Sequence, residues 1–294
     1  MKNLIIDLTS LNEEESKMAC QGIKLFNHKK EDINLTIFGN KLYLVTISSL
    51  KNVVINDIKE DDNQDKIFNL LKEKESILLS FDNKNQIIKK IEPFINKTSS
   101  SPLFASFYPN AYTGNMTLLA DLGYKPYPST DDYFNYLLTC KEIVKKIRNI
   151  DKPIVKLLLP SGLVKTEEMK NIALKLKEDD SYIGEIGTVD LLKADCDILL
   201  GDPSIIQATI SGINQGVSIY DDYLQEGMKH SFQYKMGGFF IKKLMQTFSA
   251  SIDKKITSGG MLLLGYERDV ILVRKDTTIN GVKSCLNLAY NLLN

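Results

Sequence analysis

Short apolar runs of strand length recur along this chain, and helical patterns lie between many of them. LIIDL (4–8), INLTIF (33–38), NVVIN (52–56), SILLSF (76–81), LFASF (103–107), NMTLLADL (115–122), IVKLLL (154–159) and DILLG (197–201) read as strands. Between them, residues 13–27 place Met18, Ala19, Ile23 and Phe26 near helical spacing, and residues 84–95, 131–148 and 167–176 repeat the pattern. Ser129 and Thr130 stand ahead of Asp131, and Thr166 ahead of Glu167, which suits helix N-capping. Alternating strands and helices need a mostly parallel sheet covered on both faces. The expectation is therefore a doubly wound α/β fold, organised as a single domain over residues 1–294.

Two stretches interrupt the rhythm. NKTSSSP (96–102) is a polar loop. Residues 220–255 show helical periodicity with few strand signals, and form a helical excursion before the C-terminal strands. Within it, YKMGGFFIKKLMQTF (234–248) puts Phe239, Phe240, Leu244 and Phe248 on one face with Lys235, Lys242 and Lys243 beside it. Such a face suits a packed helix, a subunit contact or shallow attachment to anionic lipid.

Composition removes several function classes. Lys plus Arg equals Asp plus Glu at 37 each, so no net basic field exists to hold nucleic acid. The only histidines are His28 and His230, both in polar surroundings, so a His-based metal site or a Ser-His-Asp triad is hard to build. Cys20, Cys140, Cys196 and Cys285 are far apart, lack CxxC spacing and sit in apolar runs, as buried thiols of a reducing cytoplasm do. The opening MKNLIIDLTS is too short an apolar run for a signal peptide, and no run reaches the ~18 residues of a membrane span.

The stretch CDILLGDPSIIQATISG (196–212) draws most attention. A buried strand delivers Asp202 to the start of a helix, the place where open α/β sheets hold ligands. Asp202 either takes part in chemistry there or caps the helix that follows. Asp7, at the end of the first strand, reads as an N-cap or a core-edge polar group.

The end of the chain carries a resemblance. GG-x4-G (Gly259, Gly260 and Gly265), followed by DVILV and a terminal helix, resembles the end of the PlsX family of phosphate acyltransferases. VDLLKADCDILLGDP (189–203) is similar to the family's strand ending in aspartate, LLADLGYKP (118–126) to its strand ending in Asp-x-Gly, and KPIVKLLLPSG (152–162) to a further core strand. The resemblance implies an isopropylmalate-dehydrogenase-like fold and synthesis of acyl-phosphate from acyl-acyl-carrier-protein and inorganic phosphate in phospholipid synthesis. It also implies a cytoplasmic homodimer that uses no cofactor and no metal, with peripheral membrane contact through 234–248.

The departures from the family pattern are local. LTSLNEEE follows Asp7 where the family has a glycine pair, SFDNKNQ (80–86) stands in place of its Ala-Gly-Asn-Thr-Gly loop, and RKDT (274–277) replaces His-Gly-Ser-Ser. Gln207 takes an asparagine's place, and Ser211 that of a lysine. On this resemblance the catalytic groups are Asp202, Gln207 and Asp121, and phosphate is held by Arg274, Lys275, Thr277, Gly259 and Gly260. Arg binds phosphate bidentately and so replaces a glycine cradle, although RKDT equally suits a polar turn capping the last helix. Two alternatives stand beside the acyl-carrier reading: a catalytically inactive binding protein of lipid metabolism, and a short-chain phosphate acyltransferase using acyl-CoA.

Overall fold

The computed structural model describes residues 2–27, 32–57, 63–73, 75–110, 113–230 and 260–294. The first half of the chain runs β1 (Lys2–Asp7), α1 (Glu13–Asn27), β2 (Ile33–Gly39), α2 (Lys41–Leu44), β3 (Val53–Asp57), α3 (Asn63–Lys72), β4 (Ser76–Ser80), α4 (Lys84–Ile91), β5 (Leu103–Pro109) and β6 (Met116–Ala120). The second half runs α5 (Thr130–Arg148), β7 (Val155–Leu159), α6 (Glu167–Leu176), β8 (Tyr182–Gly187), β9 (Ile198–Gly201), α7 (Pro203–His230), β10 (Met261–Leu264), β11 (Val270–Leu272) and α8 (Ile279–Leu293). Among the described residues eleven strands form one sheet, in the order β3-β2-β1-β4-β11-β10-β5-β6-β9-β7-β8.

The sheet is mostly parallel and changes polarity at its middle. The strands β1, β2, β3, β4 and β11 pair in parallel, as do β6, β9, β7 and β8. Antiparallel pairs join β11 to β10, β10 to β5, and β5 to β6. The two parallel blocks therefore run in opposite directions.

Side-chain alternation sorts each central strand onto two cores. Leu4 and Ile6 of β1, with Ile77 and Leu79 of β4, meet α1, α5, α6 and α8 on one face. Ile5 and Leu78 point the other way, to Ile67, Phe68 and Leu71 of α3, Ile87 and Ile91 of α4, and Ile206 and Ile210 of α7. Each such fully buried side chain contributes about 1.5–3 kcal/mol of transfer free energy. Helices on both faces of a largely parallel sheet make this the doubly wound α/β fold that the apolar runs predict.

Local signals account for most element ends. Ser129 caps α5 through the Asp132 amide in a reciprocal capping box, and Thr166 caps α6 through the Met169 amide. The α4 helix stops at Ile91, short of the expected 95, because Pro93 has no N–H to continue the ladder. Strand β8 carries no clear strand signal, since Gly184, Glu185 and Gly187 break its apolar run; it sits at the sheet edge. The α7 helix runs through Gly212 and Gly216 into the expected excursion as far as His230. The rest of 220–255, including 234–248, and Gly259 lie outside the described residues. Among the described residues no helix is long and apolar enough to cross a membrane.

The motif glycines that bracket β10 answer to packing. Gly260 has φ +84°, and a Cβ there would stand 2.7 Å from Ile271 Cγ2 and 2.8 Å from the Leu272 carbonyl oxygen. Gly265 has φ +88° and would press a Cβ to within 2.8 Å of Pro102 Cα. Close approach of β10 to its neighbours requires both.

Candidate active site

The carboxyl ends of β4 and β11 open onto a cavity of about 670 Å³. One wall comes from the β4–α4 connection. Strand β4 ends in Ser80, and Asp82 is buried beside it, joined to Lys90 Nζ at 2.7 Å and to Ser80 Oγ at 3.3 Å. Asn83 then caps α4: its Oδ1 accepts from the Gln86 amide at 2.9 Å, and Gln86 Oε1 accepts in return from the Asn83 amide at 3.3 Å. The first helical residue, Lys84, turns its side chain along the cavity wall.

The direct contacts of Lys84 are with neutral groups. Its Nζ donates to the Leu122 carbonyl oxygen and lies 5.5 Å from the centre of the Phe104 ring. Burial pulls its pKa below the ordinary lysine value, while the negative charge of Asp121 pulls it back up. Gln207 Nε2 donates to the same Leu122 carbonyl at 2.8 Å. A Cβ on Gly123 would lie 3.0 Å from Gln207 Nε2 and 3.5 Å from Lys84 Nζ, so the bare turn after β6 admits both side chains.

The opposite wall is the β11–α8 connection. Arg274 grips Asp276 bidentately, Nε to Oδ1 at 2.8 Å and Nη2 to Oδ2 at 2.9 Å. Lys275 Nζ donates to the Ser10 carbonyl at 2.5 Å, tying this turn to the loop after β1. The Thr277 amide closes back on the Arg274 carbonyl at 3.2 Å, and Thr278 caps α8 through the Gly281 amide at 3.1 Å. Phe81, Leu122, Met261, Leu272 and Val273 supply apolar surface between the walls. Cys285 lines the floor, where burial pushes its thiol up to about 12 and keeps it protonated.

Of the residues expected at the site, Gly260, Arg274, Lys275 and Thr277 meet at this cavity. Gln207 reaches its wall through Leu122. Asp121 and Asp202 are not among the lining residues. Asp121 is 0% exposed at the end of β6, and its oxygens accept the amides of Phe104, Gly123, Tyr124 and Lys125 at 3.0–3.3 Å. Burial raises its pKa, and those amides oppose the rise. Asp202 accepts the amides of Ser204 at 2.8 Å and Ile205 at 3.1 Å, and so performs the capping role open to it at the start of α7.

Lys84 is a charged cavity residue that the sequence patterns do not single out. One signal was available: a cation at the first position of a helix opposes the helix dipole, and a local rule broken without local gain marks a position worth explaining.

The chain matches a phosphate acyltransferase of Listeria monocytogenes at 26% identity over 178 residues, 58% of this chain and 51% of that protein. It matches the phosphate acyltransferase of Campylobacter jejuni at 25% over 204 residues, 66% of this chain and 59% of that one. A third, from Methylocella silvestris, stands at 21% over 201 residues. The chain is a distant relative of the phosphate acyltransferases. It spans between half and three-fifths of the length of those phosphate acyltransferases, and no known family's sequence profile matches it. A branched-chain phosphotransacylase from Enterococcus faecalis superposes with a TM-score of 0.66 at 13% identity, covering 100% of this chain and 99% of that one. A phosphotransacetylase from Staphylococcus aureus gives 0.59 at 9% identity, covering 100% and 94%. At such identities these two show the fold that they share with this chain and carry nothing about its residues.

Proposed function

We propose that this protein is a phosphate acyltransferase, forming acyl-phosphate and free thiol from an acyl thioester and inorganic phosphate. A phosphate oxygen attacks the thioester carbonyl, the C–S bond breaks, and the carrier leaves as thiolate or thiol. The reading is carried by one arrangement: a cavity that pairs apolar walls with the cations Lys84, Arg274 and Lys275 at its two rims. The apolar surface suits an acyl chain, and the cations suit a phosphate dianion whose approach to the carbonyl they would favour. Kinship with the phosphate acyltransferases supports the reaction class. The proposed donor is an acyl-acyl-carrier-protein in phospholipid synthesis, and the proposed assembly is a homodimer.

A second reading is a binding protein on the same scaffold. It is favoured by the closure of the β11–α8 turn on itself, with Arg274 bound to Asp276 and Lys275 to Ser10. Hydroxylamine trapping of acyl-phosphate, run with long-chain acyl-carrier-protein and with short-chain acyl-CoA, separates the readings. Product from either donor supports the transferase. No product from folded protein with both donors leaves the binding protein.

A further inference from the structure

We infer that Lys84 is the principal phosphate-binding cation of this cavity, an arm that exchanges the Leu122 carbonyl for the substrate dianion. The inference rests on the phosphate acyltransferase reading above.

Each cation at the cavity has a different partner to give up. Arg274 holds Asp276 through two charge-assisted hydrogen bonds, so a dianion bound there either displaces that carboxylate or sits beside its like charge. Lys90, behind the wall, is paired with the buried Asp82 at 2.7 Å. Lys275 fastens the turn to Ser10, and its departure would loosen the loop after β1. The hydrogen bond of Lys84 Nζ is to a neutral carbonyl, so among the described residues moving the ammonium breaks no ion pair, although it leaves the Phe104 ring face and the more distant attraction of Asp121.

The carbonyl Lys84 leaves is not orphaned. Gln207 Nε2 donates to the same oxygen at 2.8 Å and remains when the ammonium departs. Losing one of two donors therefore avoids the penalty of a buried unsatisfied carbonyl, about 1–3 kcal/mol. The ammonium itself gains by the exchange, since burial disfavours its charge in the resting structure and a dianion would restore it. A lysine suits this work because four rotatable bonds let one point charge move between acceptors.

The test is thermal unfolding of the protein with increasing inorganic phosphate at fixed ionic strength, beside phosphate kinetics in the hydroxylamine assay. Four proteins are compared: wild type, Lys84→Arg, Lys84→Gln and Lys84→Met. Lys84→Gln keeps an N–H donor for Leu122 without the charge, and Lys84→Arg keeps the charge, so neither relies on the tolerance of the fold to Lys84→Met. Phosphate is expected to protect the wild type. Half-maximal protection should need at least tenfold more phosphate in Lys84→Gln, with Lys84→Arg within about threefold of wild type. In the kinetic assay the phosphate KM should rise by the same factor, while the KM for the acyl donor stays put. Equal protection of wild type and Lys84→Gln would overturn the assignment and leave the acyltransferase reading standing. Protection that is lost in Lys84→Gln, from a protein that makes no acyl-phosphate, would uphold the assignment and remove turnover. A wild type that phosphate neither protects nor converts would overturn both.

Discussion

Gly260→Ala separates a packing role for the motif glycine from a role in holding phosphate. Two independent costs meet at this position. The backbone sits at φ +84°, where a side chain is strained by about 1–3 kcal/mol. The added methyl also meets Ile271 Cγ2 at 2.7 Å and the Leu272 carbonyl oxygen at 2.8 Å. Ile271 is 0% exposed and Leu272 is paired to Met261, so neither moves without disturbing the β10–β11 ladder. Overpacking of that kind costs about 1–3 kcal/mol more. The sum, about 2–6 kcal/mol, corresponds to a Tm drop of roughly 3–10 °C for a chain of this size. Gly212→Ala in α7 is the matched control, because nothing lies within 4 Å of its Cβ position and its φ is ordinary. There the substitution should stabilise by about 0.4–1 kcal/mol, through helix propensity and the unfolded chain. Equilibrium urea unfolding followed by circular dichroism reads both variants against wild type. A Gly260→Ala protein within about 1 kcal/mol of wild type would refute the packing argument, the more so if Gly212→Ala were the less stable of the two.

Asp202→Ala should lower unfolding stability by about 1 kcal/mol through loss of the two amide acceptor contacts, whereas Asp202→Asn should lie within a few tenths of wild type; a folded Asp202→Asn protein that has lost all acyl-phosphate formation would place chemistry on this carboxylate after all. Asp7 is buried, and its pKa is raised chiefly by that burial, with the Thr9 contacts opposing. A carboxyl whose folded pKa lies above its unfolded value contributes stability below pH ~3.8 that is lost as pH rises through the folded value. Asp7→Asn keeps an oxygen for the Thr9 amide, so it should match or exceed wild-type stability at neutral pH and flatten the acid-side dependence. Urea midpoints measured from pH 3.5 to 7.5 check this, and a large loss at pH 7 would contradict it.

Period and capping made much of the fold legible. Residues 13–27 and 167–176 carry a continuous helical stripe between clear end signals, and α1 and α6 occupy those spans. Strand β8 was illegible because an edge strand needs little apolar content, and Gly184 and Gly187 hid the rest. The length of α7 was obscured by glycines that sit harmlessly in solvent. At the site, the basic turn 274–277 was reached through the family resemblance, since residue chemistry alone suits a helix-capping turn equally well. The strand-end aspartates show the limit of that approach, since a carboxylate that seats backbone amides and one that awaits a substrate look alike in sequence. Lys84 was hidden for a further reason. Its partner, Leu122, lies 38 residues away in the chain, and only the tertiary fold reveals that Gln207 shares the same oxygen.

The insertion of β11 between β4 and β10 has a consequence for how the chain is made. On a ribosome, β1 to β4 emerge before β11 and can pair, but the flank of β4 that β11 will occupy stays open until β5 to β10 have also been translated. An unfilled flank of this kind is a template for other nascent strands. Val270, Ile271 and Leu272 therefore close the centre of the sheet after β1 to β10 have been made, and α8 then packs against the much earlier α1. Along this sequence, translation order and spatial order run against each other, and loss of β11 would leave the facing flanks of β4 and β10 unpaired.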